Sequence, residues 1–446
     1  MKIAVVGMGY VGIPAASLLA DVEGFSVVGV EKGSPLSQWK IETLNSGKCP
    51  IEGDEPGLPE LIERVIKKKT FRVTDDYRAL NDRDAILICV QTPTESSEHE
   101  PSYFALKEAA RGIGENMKRG ALVVTESTVA PGTTEHVIKP ILERKSRLKA
   151  GEDFYLAYSY ERVMPGKLID YIVNLPRIIG GINDESERRA REMYSRVVKA
   201  PIYTTNILTA EATKTIENAY RDVNIAFANE MAIICESIGI NIFEVQRLIN
   251  TRHERMMHYP GAGVGGHCLP KDTWLLLYGL KMYGQKPVKT HFVELARSIN
   301  ESMPHHLVDL LFSCFNKKNL EYPDTKVVIL GVAYLENSDD TRNTPAYSLI
   351  SRLSAYGVDI IAHDPYVREF PEAELAHDLM EAAKGADALI IITKHREYYS
   401  LDLKKIASTM RTPIIIDGRD VINPKSAKEA GFMYRGIGKG DVTDGF

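Results

Sequence analysis

Apolar runs of strand length, each followed by a longer helical stretch, constrain this chain more than any other feature. The first half carries KIAVVG (2–7), SVVGVE (26–31), AILICV (85–90) and ALVVTES (121–127). After residue 320 the pattern restarts with KVVILGVAY (326–334), VDIIAHDPY (358–366), ALIIITK (388–394) and PIIIDGRD (413–420). Strands this apolar are buried on both faces, as in parallel sheets covered by helices. Two α/β domains are therefore expected, and 446 residues provide ample material for both cores.

Composition excludes several classes. The chain is 44% hydrophobic and 26% charged with a net charge of −5, so no nucleic-acid partner is expected and an anionic ligand must meet a local basic cluster. The five cysteines are odd in number and contain no CxxC pair, which predicts free thiols in a reducing, cytoplasmic setting and no metal. The apolar start is interrupted by glycines, unlike a signal peptide, and no run of about 18 apolar residues predicts a membrane span.

Between the two halves, TAEATKTIENAYRDVNIAFANEMAIICESIG (209–239) predicts a long helix, with Thr209 as N-cap and Gly239 as stop. About thirty residues would span about 45 Å, enough to connect domains and to offer a face for pairing chains. A second helix is expected over residues 289–315. The expected regions are 1–205 for a dinucleotide, 206–315 as a central helical part, and 316–446 as a second α/β domain.

Gly7, Gly9 and Gly12 form GxGxxG directly after a strand and at a helix start, with Tyr10 and Val11 between them. Such glycines permit a tight turn and close pyrophosphate approach at the positive helix end. Glu31 ends the next strand, where a carboxylate accepts ribose hydroxyls and repels an added phosphate, so NAD is the expected cofactor. Lys32 beside it weakens that preference a little. Thr92 and Thr128 follow strands and are candidate hydroxyl donors toward the cofactor, or alternatively caps of their own turns. The fold class follows: α/β, two Rossmann-like doubly wound domains joined by a long central helix.

Lys214, Asn218 and Arg221 lie at i, i+4 and i+7, one face of the long helix. GVGGHCLPKD (263–272) sets Cys268 among glycines, leaving three readings: nucleophile, metal ligand beside His267, or small hydrophobe. TRHER (251–255) adds Arg252, His253 and Arg255. Cations and a thiol beside a dinucleotide fold point to redox chemistry on an anionic substrate.

Taken with ESTVAPGTT (126–134), ERVMPG (161–166), AEATKTIENAYRDVNIAFANE (210–230) and DDTRNTPA (339–346), these segments resemble the UDP-glucose/GDP-mannose dehydrogenase family over nearly the whole chain. The resemblance implies oxidation of a nucleotide-sugar 6-hydroxyl to a carboxylate with two NAD, in a homodimer paired through the long helix. It implies that Cys268 is the nucleophile, Lys214 an acid/base and oxyanion stabiliser with Asn218 beside it, and that Glu161 and Thr128 lie near the nicotinamide and hydrolytic water. A neighbouring His267 and Lys271 would favour the thiolate. Lys271 and Arg342 match cofactor contacts. Arg162, Val163, Arg221, Gly265, Tyr334 and Arg419 match the UDP-sugar side, and Arg252, His253 and Arg255 match a segment reaching a partner subunit's substrate.

The sugar is less sharply marked. Pro165 stands where the glucose branch carries a carboxylate, and ERV-x-PG, the HxR of His253–Arg255 and GGHC resemble the N-acetylmannosamine branch. UDP-N-acetyl-D-mannosamine is expected first, then UDP-N-acetylglucosamine, then UDP-glucose, with Arg162–Val163 contacting the sugar and its acetamido group. Leu335 departs from a lysine the family usually carries there, so either a neighbour such as Lys326 or Arg352 substitutes or nucleotide affinity is reduced. DDTRN replaces the more frequent DDxRE. A hydroxyacid dehydrogenase of one oxidation would not need Cys268, and a non-catalytic nucleotide-sugar binder would not need thiol and dinucleotide motif together.

Overall fold

The computed structural model describes residues 1–34, 37–51, 53–94 and 99–440, so the last six residues of the expected 316–446 region lie outside the described residues. The chain divides into two compact units, Met1–Glu217 with Trp274–Val288, and Asn218–Thr273 with Lys289–Phe446. Each is built around one sheet.

The first sheet contains β1 (Lys2–Val6), β2 (Ser26–Val30), β3 (Phe71–Thr74), β4 (Ala85–Ile88), β5 (Leu122–Thr125), β6 (Tyr155–Tyr158), β7 (Arg177–Gly181) and β8 (Ile202–Asn206). Their order is β3-β2-β1-β4-β5-β6-β7-β8. All neighbours are parallel except β6 and β7. The second sheet contains β9 (Lys326–Leu330), β10 (Asp359–His363), β11 (Glu374–Ala376), β12 (Ala388–Ile391), β13 (Ile414–Asp417) and β14 (Met433–Gly436), ordered β11-β10-β9-β12-β13-β14 and wholly parallel. Both sheets thus begin as 3-2-1-4-5-6, and each reverses direction next to its first strand. Ligands of open sheets bind outside the carboxyl ends at that switch point.

Every residue of β4, β5, β12 and β13 is buried, as their continuous apolar runs predict. The strands that escape the sequence pattern are short or lie toward the edges. In β3, Phe71 and Val73 point inward while Arg72 is exposed, and β11 has only three residues.

The long helix runs Ile207–Ile238, starting three residues before the point that a Thr209 cap implies. Thr209 is not its cap. Asn206 fills that role, its Oδ1 accepting the Thr209 N–H at 2.8 Å, because an N-cap side chain must reach the amide three residues on. Gly239 does stop the helix: it adopts φ 80°, and the Ile240 N–H folds back to the Cys235 carbonyl at 3.0 Å. Small and polar residues such as Ala210, Glu211, Lys214, Ala228 and Asn229 are buried, while Ile216, Tyr220, Phe227, Ile234 and Ile238 are exposed. The 4-7-7-4 spacing of those five puts them on one stripe.

A further helix occupies Phe292–Lys317, close to the expected 289–315, with Pro304 inside it. Helices Ile242–Ile249 and Leu269–Tyr283 were not legible in the pattern, and the second begins directly after Cys268. Among the described residues no helix is long and apolar enough to cross a membrane, and no group of three or more His, Cys, Asp or Glu stands ready to hold a metal.

Candidate active site

In the first unit the glycine loop joins β1 to helix Gly12–Asp21. Gly7 takes φ 99°, its N–H donates to the Val30 carbonyl at 2.8 Å, and a Cβ there would lie 2.6 Å from the Cys89 carbonyl oxygen. A Cβ on Gly12 would strike the Gly7 carbonyl oxygen at 1.9 Å. These two glycines are required by strand–helix packing. Gly9 differs, since a Cβ there would meet nothing within 4 Å. Protein packing does not explain Gly9, whereas backbone contact with a pyrophosphate does. Tyr10 is half-buried on the loop, and Val11 is the N-cap.

Glu31 follows β2, and its carboxylate accepts the Met8 N–H at 2.9 Å and the Lys32 N–H at 3.2 Å. The cation beside it is not the Lys32 ammonium, which lies 5.3 Å over the Phe104 ring, but Lys40, 3.4 Å away. These residues fit a dinucleotide: open space at Gly9, a helix N-terminus, and a carboxylate at the ribose position.

Thr92 is buried, and its hydroxyl donates to the Thr128 carbonyl at 2.6 Å, tying two carboxyl-edge loops together. Thr128 itself is half-buried. Lys214 is also buried, its Nζ donating to the Glu161 carbonyl at 2.8 Å and lying 3.8 Å from the Glu161 carboxylate. The structure thus places the two candidate residues Lys214 and Glu161 side by side.

The neighbouring Arg162 is placed otherwise than expected. Its guanidinium donates to Glu217 at 2.8 Å, the Pro176 carbonyl at 2.7 Å and the Tyr160 hydroxyl at 3.0 Å. The Val163 N–H donates to the Glu161 carboxylate. The side chain and amide proposed for the acetamido group are taken up by Glu217, Pro176, Tyr160 and Glu161.

In the second unit, Cys268 is exposed and caps helix Leu269–Tyr283, its carbonyl accepting the Lys271 and Asp272 N–H groups at 3.1 and 2.8 Å. A helix N-terminus favours an anionic sulfur. Lys271 and Asp272 are buried, 3.4 Å apart, and Asn218 donates to Asp272 at 2.5 Å. His267 does not help hold a thiolate by charge. Burial, then Lys271 and Arg342, push its pKa down to about 4, so it is neutral near pH 7.

The loop's glycines serve the chain itself. A Cβ on Gly265 would lie 2.6 Å from Tyr334 Cβ, and one on Gly266 2.6 Å from the Tyr334 ring. The Gly266 N–H donates to the Arg342 carbonyl at 2.9 Å, and Asn343 donates to the Gly266 carbonyl at 3.0 Å. Asn343 takes φ 49°, a left-handed conformation that asparagine tolerates, which gives its presence in DDTRN a physical reason. Arg342 is held by Asp340 at 2.5 Å.

Arg419 donates to the Ile392 and Gly263 carbonyls at 2.6 and 3.2 Å, and burial pulls its pKa down to about 10. Neither expected substitute for a lysine at Leu335 is near it. Lys326 opens β9 at the opposite strand end and donates to the Lys384 carbonyl, and Arg352 is tied to the His305 carbonyl and Asp309. The cation by that turn is Lys394, 3.5 Å from Glu336.

Arg221, Arg252, His253 and Arg255 are exposed, Arg252 lying 3.3 Å from Glu254. Asp272 and Lys40 were missed as site residues. Asp272 had a signal, since it stands one turn after Cys268 in a motif already singled out; Lys40 had none, because only folding brings it to Glu31.

An NAD-fitted sheet edge with a buried lysine, and an exposed thiol at a helix start, define an NAD-dependent oxidoreductase. The chain belongs to the UDP-glucose/GDP-mannose dehydrogenase family: the family's NAD-binding, central and UDP-binding domain sequences match residues 1–198, 208–302 and 328–424. It is 40% identical, over 99% of its length and all of the relative's, to a UDP-N-acetyl-D-mannosamine dehydrogenase of Pyrococcus horikoshii. The solved P. horikoshii UDP-D-ManNAc dehydrogenase superposes with a TM-score of 0.91 at 39% identity, covering 99% of this chain and 100% of that one. An NDP-N-acetyl-D-galactosaminuronic acid dehydrogenase from Methanosarcina mazei superposes at 0.89 with 42% identity, covering 98% and 95%.

Proposed function

We propose that the protein oxidises the 6-hydroxyl of UDP-N-acetyl-D-mannosamine to the carboxylate of UDP-N-acetyl-D-mannosaminuronate, reducing two NAD per sugar. The observation that carries this is Cys268, exposed at a helix N-terminus in a family of nucleotide-sugar dehydrogenases. NAD, when bound, accepts the hydride of each oxidation. Lys214 takes the hydroxyl proton and stabilises the alkoxide as the alcohol becomes an aldehyde, with Asn218 as a further donor. The Cys268 thiolate then adds to the aldehyde carbon. The resulting thiohemiacetal loses a second hydride to leave a thioester, and water positioned by Glu161 and Thr128 cleaves it to carboxylate and thiol.

The regions 1–205, 206–315 and 316–446 would then divide NAD binding, the thiol with chain pairing, and UDP-sugar binding. A second copy of the chain is the natural cover for the apolar stripe Ile216–Tyr220–Phe227–Ile234–Ile238, giving a cytoplasmic homodimer with Arg252, His253 and Arg255 serving the partner's substrate. A single-chain mass in light scattering would remove the homodimer. The 42% identity to the M. mazei protein favours a second reading, an N-acetylgalactosamine nucleotide.

Purified protein with NAD and each of UDP-N-acetylmannosamine, UDP-N-acetylgalactosamine, UDP-N-acetylglucosamine and UDP-glucose separates these. Two NADH per sugar are expected, with kcat/KM for the mannosamine nucleotide at least about tenfold above UDP-glucose. Since Arg162 and the Val163 amide are internally bonded, discrimination is expected from the shape of loop 161–166. One NADH per sugar would overturn the thioester route, and equal use of UDP-glucose would overturn the substrate. Cys268→Ser should leave acid formation severely impaired.

A further inference from the structure

Glu211 is a fully buried carboxylate for which the reaction above has no use. It lies on the long helix one turn before Lys214. Its two oxygens accept backbone N–H groups of a different segment: Gly132 at 2.6 Å and Thr134 at 2.8 Å. Those amides end the stretch 128–134 and open helix Thr134–Ile138, so the carboxylate also meets the positive end of a helix.

The same stretch is held at two other points. Thr92 donates to the Thr128 carbonyl at 2.6 Å, and the Tyr103 hydroxyl accepts the Ala130 N–H at 2.9 Å. Gly132 takes φ 95°, and a Cβ there would lie 2.7 Å from the Tyr283 ring. Of these three anchors, Glu211 alone belongs to the helix that carries Lys214.

We propose that Glu211 is a positioning residue, its carboxylate fixing segment 128–134 to the helix of Lys214 and so setting Thr128 relative to the lysine. The proposal rests on the dehydrogenase reading for its kinetic consequences. The anchor needs the charged form, because a protonated carboxyl presents a hydroxyl hydrogen to one of the two N–H groups. Burial pushes the Glu211 pKa up to about 7 despite the donors of Thr134 and Gly132. The other groups facing it are Glu135 on the adjoining helix, Tyr103 and Tyr283, with His136 stacked on Tyr283 at 4.6 Å. No lysine or arginine is among these, so charge on Glu211 depends on the donors of Thr134 and Gly132.

The sign follows: the anchor is complete above the folded pKa and is lost as pH falls through about 7. Wild-type kcat should therefore decline on the acid side of neutrality. Glu211→Gln keeps the size but presents an amide N–H to one donor; it should lower kcat by about 10- to 100-fold and abolish that acid limb. Glu211→Asp keeps the charge but reaches only one amide, and should show an intermediate kcat with the limb retained.

Hydrogen exchange at the Gly132 and Thr134 amides gives a readout independent of turnover, with faster exchange expected in Glu211→Gln. That separates the two ideas: inactivity of wild type on every UDP-sugar would defeat the proposed function, while exchange would still report on the anchor. Wild-type kcat in Glu211→Gln, survival of the acid limb in that variant, or unchanged exchange would each overturn the proposal. Should Glu211→Gln fail to fold, an Asp variant matching wild type in both kcat and exchange would overturn it.

Discussion

The two sheets place an acidic residue at the same topological position and use it in opposite ways. In each, a left-handed glycine follows the first strand, Gly7 at φ 99° and Gly331 at φ 84°. The glycine N–H donates to the last residue of the second strand, Val30 or His363, at 2.8 Å. An acid comes next, Glu31 after β2 and Asp364 after β10. Glu31 accepts one amide of the glycine loop and keeps part of its carboxylate at the surface, 16% exposed. Asp364 accepts the N–H groups of Val332, Ala333, Tyr366 and Val367 at 2.8, 3.1, 2.9 and 3.1 Å, bonds His395 at 3.1 Å, and is sealed.

The loops differ to match. Residues 7–11 lead straight into a helix whose first turn is open at Gly9. Residues 331–344 are longer, and their Tyr334 and Asn343 pack on the glycines of the thiol loop before helix Pro345–Ala355 begins. One framework keeps an open turn and a partly exposed carboxylate, and the other is closed by its own chain. Equivalent position does not mean equivalent ligand.

The largest effect that could break this comparison is on stability. Asp364→Ala strands four amides and His395 in the interior, and should lower unfolding free energy by about 3–5 kcal/mol in urea titrations. A loss under about 1 kcal/mol would mean that its bonding is not what distinguishes the second unit.

Glu31→Ala should instead spare stability and act on the cofactor. Loss of charged hydrogen bonds to a ribose, about 1.5–3 kcal/mol, predicts a rise of about 10- to 150-fold in Kd for NAD by calorimetry. Unchanged NAD affinity would remove Glu31 from the site. The smallest effect is expected at Gly9→Ala, where the protein offers no clash. Thermal stability should hold, while crowding of one pyrophosphate contact raises Kd for NAD by about 5- to 10-fold. A destabilised Gly9→Ala with normal NAD binding would reverse the roles assigned to the glycines.

Much of this was legible in the residues. The interior strands β1, β4, β9 and β12 announce themselves because both faces are buried, so every position but the opening lysines of β1 and β9 is apolar. The long helix was legible to within three residues, and so was the stop at Gly239. Edge strands such as β8, with exposed Tyr203, and β11, with three residues, were not. They bury one face or little at all, and so leave a weak pattern.

What the chain determined by itself was local: which stretches become strand or helix, where glycines must stand, and that a thiol follows a glycine turn at a helix start. Those depend on periodicity, dihedral freedom and neighbours in sequence. Which partners meet across the fold was decided by tertiary structure alone. GVEK and HDPY read alike as an acid after a strand, yet only packing against residues 332, 333 and 395 shows Asp364 consumed and Glu31 available. The same holds for Glu211 and the amides of Gly132 and Thr134, some eighty residues away in sequence. Hydrogen bonds saturate, and no pattern along the chain records which donor arrives first in space.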